Sequence, residues 1–90
     1  MVRLYVRHPV SDYSTWRSAY DSTVAFRTDM KVIGQAVYQA VDDPNDVTVW
    51  HDFETREAAE EFVSSDKLKN IMKEAGIAGP PTIWIVNESG

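Results

Sequence analysis

The 90-residue sequence predicts one α+β domain, in which two helical regions cover one face of a four-stranded sheet. Four short segments alternate apolar and polar residues with the period of two that is typical of strands. Two longer segments carry apolar residues at helical spacing. No repeat, linker or low-complexity stretch divides the chain, so we expect a single domain over residues 1–90.

The segment VRLYVRH at residues 2–8 is predicted to form the first strand, because every second side chain through Val6 is apolar. Ser11 or Asp12 then begins a helix, since short polar side chains cap helix N-termini. We expect this helix to run to about Thr28. Its apolar stripe recurs every three or four residues, at Tyr13, Trp16, Tyr20 and Val24.

The segment VIGQAVYQAV at residues 32–41 is predicted to be the second strand, with Gly34 marking a bulge or a close backbone approach. The segment DDPND then forms a turn with Pro44 at its second position. That turn makes a hairpin into the third strand at residues 46–53. The segment lacks the spaced ligands and the glycine of an EF-hand, so its acidic residues indicate a solvated turn.

A second helical region is predicted to begin at a Thr55 cap, restart at Ser65 and end at Gly76. The last strand covers residues 82–86. The side chains of the helical region expected to point inward are Ala58, Ala59, Phe62, Val63, Leu68, Ile71, Met72 and Ala75.

This βαββαβ order is that of the ferredoxin-like split βαβ unit, and right-handed crossovers then give the antiparallel-sheet order 4-1-3-2. We expect strands 1 and 3 to be adjacent, central and parallel to each other. His8 and His51 share the parity of the apolar residues in these two strands. Both imidazoles should therefore face the helices, roughly 5–10 Å apart on strand dimensions.

The opposite sheet face is too polar for an ordinary interior and too aromatic for a bare surface. It carries Arg3, Tyr5, Arg7, Thr48, Trp50 and Asp52. Tyr, Trp and Arg are enriched in protein interfaces. We therefore expect a homodimer in which two identical sheets face each other, with Arg3 or Arg7 paired to Asp52 across a twofold axis. A monomer with an aromatic solvent face is the alternative.

Composition excludes several classes of partner and site. The net charge is −5 and the nine basic residues are scattered, which disfavours nucleic acid and anionic membranes as partners. The absence of cysteine excludes disulfides, thiolate catalysis and cysteine-ligated metals. The first ten residues are strand-like rather than a signal peptide, and no apolar run approaches a membrane span. We expect a cytoplasmic location.

Three segments together resemble the antibiotic-biosynthesis-monooxygenase-like, dimeric α+β barrel proteins. They are HPVSDYSTWRSAYD, DDPND and SSDKLKNIMKEAGIAGPPTIWIV, and the resemblance covers nearly the whole chain. It implies a ligand site between the helices and the concave sheet of each protomer. That site would be lined by Trp16, Tyr20, Phe62 and Met72, with His8 and His51 from the sheet. The superfamily includes cofactor-free oxygenases, haem-degrading enzymes, isomerases, cyclase-like proteins and small proteins with no assigned reaction.

A cofactor-free oxygenase needs a base to ionise a phenol or enol, and a neutral imidazole in an apolar pocket suits that role. His51 is the first candidate base and His8 the second, while Trp16 and Tyr20 would stack on a flat substrate. We expect no haem, flavin or metal. Neither histidine lies on a predicted helix, where the haem-degrading proteins of this superfamily carry their iron ligand. The four glycines are dispersed, so there is no flavin-binding glycine motif. Asp52 faces away from the histidines, so it does not complete a metal site with them. The predicted function is a cofactor-independent monooxygenase. The alternatives are an isomerase or cyclase, and a non-catalytic binding or stress-associated dimer.

Overall fold

A computed structural model of the chain describes residues 1–89. The order of strands and helical regions is the predicted one. The elements are β1 (Val2–Pro9), α1 (Tyr13–Ser22), α2 (Val24–Asp29), β2 (Gly34–Ala40), β3 (Asp43–Phe53), α3 (Arg56–Ser64), α4 (Asp66–Glu74) and β4 (Thr82–Val86). None of the helices within the described residues has the length and apolarity needed to cross a membrane.

The four strands form one sheet with the order β2-β3-β1-β4, which confirms the predicted order. Every neighbouring pair is antiparallel. The expectation that β1 and β3 are parallel is therefore wrong. The helical crossover makes β1 and β2 run in the same direction, and the hairpin after β2 reverses the chain, so β3 must run against β1.

The antiparallel register also changes the distance between the two histidines. Leu4 pairs with His51, and His8 pairs with Val47, so the imidazoles stand four strand positions apart. At about 3.4 Å per residue this is roughly 13 Å along the sheet. The predicted spacing of 5–10 Å between the imidazoles is therefore wrong, because it assumed that β1 and β3 are parallel. The predicted orientation is correct, since both rings lie on the helical side of the sheet.

The hydrophobic core lies between the sheet and the helices, on the sheet face to which the period-two pattern assigns the apolar side chains. Alternation places one apolar set against the helices because successive strand side chains point to opposite faces. The larger buried cluster consists of Val2, Leu4, Val6, Phe26, Val49, Phe53, Ala58, Ala59 and Phe62. A smaller cluster, around the start of α1, contains Val10, Trp16, Val47 and Ala75.

The first helical region begins at the Asp12 cap, whose carboxylate accepts from the Thr15 backbone N–H at 3.0 Å. It is interrupted rather than continuous to Thr28. The Thr23 hydroxyl donates to the Tyr20 carbonyl at 2.9 Å, which takes that carbonyl out of the regular helical ladder. α2 therefore restarts with a different face inward, and Val24, predicted to be part of the apolar stripe, is 52% exposed.

The β2–β3 hairpin turns earlier than predicted. Ala40 pairs with Asp43, so the turn residues are 41 and 42, and Pro44 lies within β3. The irregularity in the ladder falls between Gln39 and Ala40 and not at Gly34. Pro44, which has no N–H to donate, fits the unpaired part of such a bulge. Thr55 and Ser65 cap α3 and α4 as predicted, and Gly76 follows α4 with a φ of +84°.

The arginine and aspartate side chains on the outer face of the sheet form ion pairs within one chain. Arg3 forms a bidentate pair with Asp52, at 2.7 and 3.0 Å, and its guanidinium lies 3.7 Å above the Trp50 ring. Arg7 binds Asp46 rather than Asp52. The Arg3–Asp52 pair expected across a twofold axis thus forms inside the protomer, where it fixes the position of the Trp50 ring.

Candidate functional site

A row of aromatic rings connects the two histidines across the helical side of the sheet. The His8 ring lies 5.7 Å from Trp16, Trp16 stacks on Tyr20 at 5.0 Å, and Tyr20 stacks on His51 at 6.0 Å, measured between centroids. Trp16 and Tyr20 stand one turn apart on α1, so their side chains project from the same face of the helix. They occupy the gap that the antiparallel register opens between the histidines.

Tyr20 and His51 share a hydrogen bond of 2.9 Å between the phenolic oxygen and Nε2. Burial raises the pKa of the Tyr20 hydroxyl, so the phenol is protonated at neutral pH. His51 is 4% exposed, and Nδ1 has no partner among the described residues. Burial lowers the pKa of His51 to about 4, and the positive charge of Arg27 contributes in the same direction. The pair is therefore a neutral imidazole joined to a neutral phenol.

His8 stands at the other end of the row, where β1 approaches α1. It is 3% exposed, and neither ring nitrogen has a hydrogen-bond partner among the described residues. Burial lowers its pKa to about 4, so it too is neutral at physiological pH. A buried imidazole without partners costs stability, because its polar atoms lose water and gain no compensating bond.

A cavity of about 60 Å³ lies between the sheet and the helices. Four predicted ligand-binding residues and one predicted base line it together: Trp16, Tyr20, Phe62, Met72 and His8. His51 is not among the lining residues and lies behind Tyr20, which does line the cavity. The remaining lining residues are Val6, Thr23, Phe26, Arg27, Val49, Leu68, Ile71 and Ala75.

No protein-family profile matches the chain, and no curated protein matches it significantly in sequence. Solved structures do match. A candidate antibiotic biosynthesis monooxygenase from Bordetella bronchiseptica aligns with a TM-score of 0.84 and 15% identity, over 98% of this chain and 96% of that chain. SnoaB, a cofactor-independent oxygenase from Streptomyces nogalater, aligns with a TM-score of 0.79 and 12% identity, over 99% and 93%. The chain has the antibiotic-biosynthesis-monooxygenase-like (ABM-like) fold. A conserved protein from Methanosarcina mazei shares it, with a TM-score of 0.76 and 17% identity, over 98% and 92%.

Within this ABM-like fold, sequence reasoning missed the charged residue of the cavity wall, Arg27. It is 5% exposed, and the central carbon of its guanidinium lies 3.7 Å from the centroid of the Tyr20 ring. A signal was present in the sequence. Arg27 falls seven residues after Tyr20, a spacing of about two helical turns that continues the stripe of Trp16 and Tyr20. A charged residue at a stripe position indicates either a helix break or a buried charge, and here both occur.

The described residues of the ABM-like chain contain no group of three His, Cys, Asp or Glu side chains placed to hold a metal ion. A site made of both histidines and Asp52 does not form. The imidazoles stand four strand positions apart, and Asp52 binds Arg3 on the opposite face of the sheet. The chemistry that the cavity wall can perform is proton transfer, hydrogen bonding and stacking on a flat ligand.

Proposed function

We propose that the protein is a cofactor-independent monooxygenase that acts on a small aromatic or enolic metabolite in the cavity between sheet and helices. The observation that carries the proposal is the Tyr20–His51 hydrogen bond at the cavity wall. It joins a group that can touch a ligand to a base that is shielded from water. The ABM-like fold, shared with a cofactor-independent oxygenase, is consistent with this chemistry but does not establish it.

In the proposed first step, the Tyr20 oxygen accepts the hydroxyl proton of the substrate as Tyr20 passes its own proton to Nε2 of His51. Tyr20 is the catalytic residue here, and His51 acts through it. A pKa of about 4 makes His51 a weak base in the empty protein. The negative charge that develops on the substrate favours the imidazolium as it forms, because opposite charges stabilise each other at short range.

The substrate anion then transfers one electron to dioxygen, and the two radicals join in a carbon–oxygen bond to give a peroxide. The imidazolium of His51 returns its proton through Tyr20 to the peroxide. Loss of the remaining proton on that carbon and cleavage of the O–O bond then release water and leave a carbonyl. For a phenol with a free para position, the balance is phenol plus O₂ to give para-quinone plus water. The substrate supplies all four electrons, so no external reductant is required.

An oxygen electrode tests this function directly. Purified protein with a metal chelator is supplied with a panel of single-ring phenols and enolisable ketones. We expect uptake above the protein-free rate, with one O₂ consumed per substrate, for at least one compound. His51→Ala should lower that rate by about 10²- to 10⁴-fold, the usual contribution of a general base. Arg56→Ala, on the exposed face of α3, is the control. Equal rates for wild type and His51→Ala would refute the base assignment.

We also propose that the chain forms a homodimer through the outer face of its sheet, with Arg3, Tyr5, Arg7, Trp50 and Asp52 at the interface. Stacking of Tyr5 on Trp84 and of Arg3 on Trp50 gives this face ordered, flat aromatic side chains. The apolar side chains of β4 are open on both sides of the strand: Ile83, Trp84, Ile85 and Val86 are between 36% and 41% exposed. A second sheet would cover Trp84 and Val86, which pair with Tyr5 and Arg3 and share their face of the sheet.

A second candidate function is ligand binding without turnover. The specific observation in its favour is that Tyr20 separates His51 from a cavity of only about 60 Å³. In that case phenolic ligands should raise the melting temperature without oxygen uptake. Conversion of a substrate under nitrogen would instead show that the protein is an isomerase or cyclase that uses the same proton transfer.

A further inference from the structure

We infer that the cavity selects an anion, a single-ring aromatic acid whose negative group binds the guanidinium of Arg27. The inference deepens the proposed function, because it names the ligand class of the same cavity. It rests on Arg27, on the unpartnered imidazole of His8 and on the size of the cavity.

Arg27 is a buried cation without a counter-ion among the described residues. Its three hydrogen bonds go to uncharged acceptors: Gln35 Oε1 at 2.8 Å, the Tyr20 carbonyl at 2.8 Å and Thr23 Oγ1 at 2.9 Å. Asp21, whose negative charge acts on Arg27, is itself paired with Arg17 at 3.1 Å. Burial lowers the pKa of Arg27, because a charged group loses its hydration there. Buried charges in proteins are normally paired, and the described part of this chain supplies no partner.

The guanidinium retains an unused donor. Nε and Nη1 make the hydrogen bonds just described, while Nη2 makes none within residues 1–89. Arg27 lines the cavity, and no acidic side chain lines it beside Arg27. A carboxylate or phenolate placed there would accept a charge-assisted hydrogen bond from Nη2 and neutralise the buried charge.

His8 provides a second, independent indication of a polar occupant. Both of its nitrogens are buried without partners, and its ring lines the same cavity. Two rings, those of Trp16 and Tyr20, lie between His8 and Arg27 in the cavity wall. A single-ring ligand is shorter than that row, so its anionic group is placed on Arg27, and the free nitrogens of His8 indicate a cavity that takes polar occupants.

The cavity sets the size of the ligand. Its 60 Å³ is less than half of the roughly 150 Å³ of a closed apolar cavity that holds benzene. The cavity is partly open to solvent, so a single ring enters it with one edge outside, and a larger ring system is not accommodated. The wall is otherwise apolar and aromatic, with Trp16 and Tyr20 on one side and Phe62 on the other, which suits the faces of such a ring.

The experiment compares benzoate with benzamide, which has nearly the same shape and no charge. Calorimetric titration of the wild-type protein at pH 7.5 should show benzoate binding about 10- to 100-fold more tightly, the factor expected for a charge-assisted hydrogen bond. Arg27→Gln should remove this preference while leaving benzamide binding within about twofold, and Arg27→Lys should retain part of it. Arg56→Gln, which removes an exposed arginine, should behave as wild type.

Equal affinity of the wild-type protein for benzoate and benzamide would overturn the inference, whether or not the variants fold. A folded Arg27→Gln protein that binds benzoate as tightly as wild type would overturn it equally. The measurement uses neither oxygen nor turnover. Benzoate selectivity without oxygen uptake on any phenol would therefore refute the monooxygenase proposal and leave the anion site standing.

Discussion

The Tyr20 hydroxyl and Nε2 of His51 lie 2.9 Å apart, and this contact ties the first helix to the centre of the sheet. His51 is paired with Leu4 in the middle of β1 and is held on its other side by Phe62, 5.2 Å away. The imidazole is therefore fixed in position, neutral, and reachable from the cavity only through Tyr20.

Tyr20→Phe should abolish most of the proposed activity. The variant keeps the ring that stacks on Trp16 and Arg27 and removes only the hydroxyl, so the proton path to His51 is lost. We expect a decrease of about 10²-fold or more in oxygen uptake, and a loss of roughly 1–2 kcal/mol in the free energy of unfolding. Tyr13→Phe removes a hydroxyl from the same helix and is the matched control. A Tyr20→Phe protein with wild-type uptake would show that the phenol takes no part.

Stability should decrease as the pH falls from about 6.5 to about 4. Both imidazoles have a pKa of about 4 in the folded chain, whereas an unfolded histidine titrates near 6.5. The unfolded state binds more protons in this window, so acid favours unfolding. Each histidine contributes roughly 3 kcal/mol of loss across the whole window. Urea unfolding at several pH values measures the slope.

The matched variant for this pH dependence is His51→Leu, which removes one of the two titrating groups. The free energy of unfolding of His51→Leu should vary about half as much between pH 7 and pH 4 as that of wild type. The Arg7 guanidinium lowers the pKa of Asp46, so this carboxylate titrates below the window. An unchanged slope in His51→Leu would mean that the histidines do not control acid stability.

Phe62 should be among the residues that contribute most to the stability of the fold. Its ring packs against Phe26 at 5.7 Å, Phe53 at 5.5 Å and His51 at 5.2 Å, between centroids. Phe62→Ala should lower the free energy of unfolding by about 3–5 kcal/mol, because these ring contacts are lost and the neighbouring cavity is enlarged. Val63→Ala, at the half-buried next position, should cost about 1 kcal/mol. Similar losses for the two variants would contradict the placement of Phe62 in the core.

The proposed dimer predicts a solution mass of two chains. Trp84 is 41% exposed and stacks on Tyr5 on the outer face of the sheet. Trp84→Asp should give a monomer in sedimentation, because a charge at the interface core is poorly tolerated. Val41→Asp changes an apolar residue that is fully exposed at the hairpin tip, and it should stay dimeric. A wild-type protein that sediments as one chain would end the dimer proposal.

Side-chain parity was the most reliable part of the sequence prediction, and strand direction the least. Alternation alone placed His8, His51 and Asp52 on the correct faces, because the strand period is fixed by backbone geometry. The relative direction of two strands depends on the connections between them. Counting the crossover and the hairpin would have shown that β3 runs against β1, and the histidines would then have been placed four positions apart.

The cavity wall was predicted in part. Trp16, Tyr20, Phe62 and Met72 were identified from helical spacing and the family resemblance. Arg27 was not, although it lies seven residues after Tyr20, because an apolar pattern gives no weight to a charged side chain. The link between Tyr20 and His51 depends on how α1 lies across the sheet. It became visible only in three dimensions.

The most direct test of the account is a double-mutant cycle on oxygen uptake with Tyr20→Phe, His51→Ala and the combined variant. If the two residues form one proton path, each single change removes most of the rate, and the double variant is within about threefold of the slower single variant. If the losses of the two single variants multiply in the double variant, Tyr20 and His51 act independently, and the proposed path from the cavity to the buried imidazole is wrong.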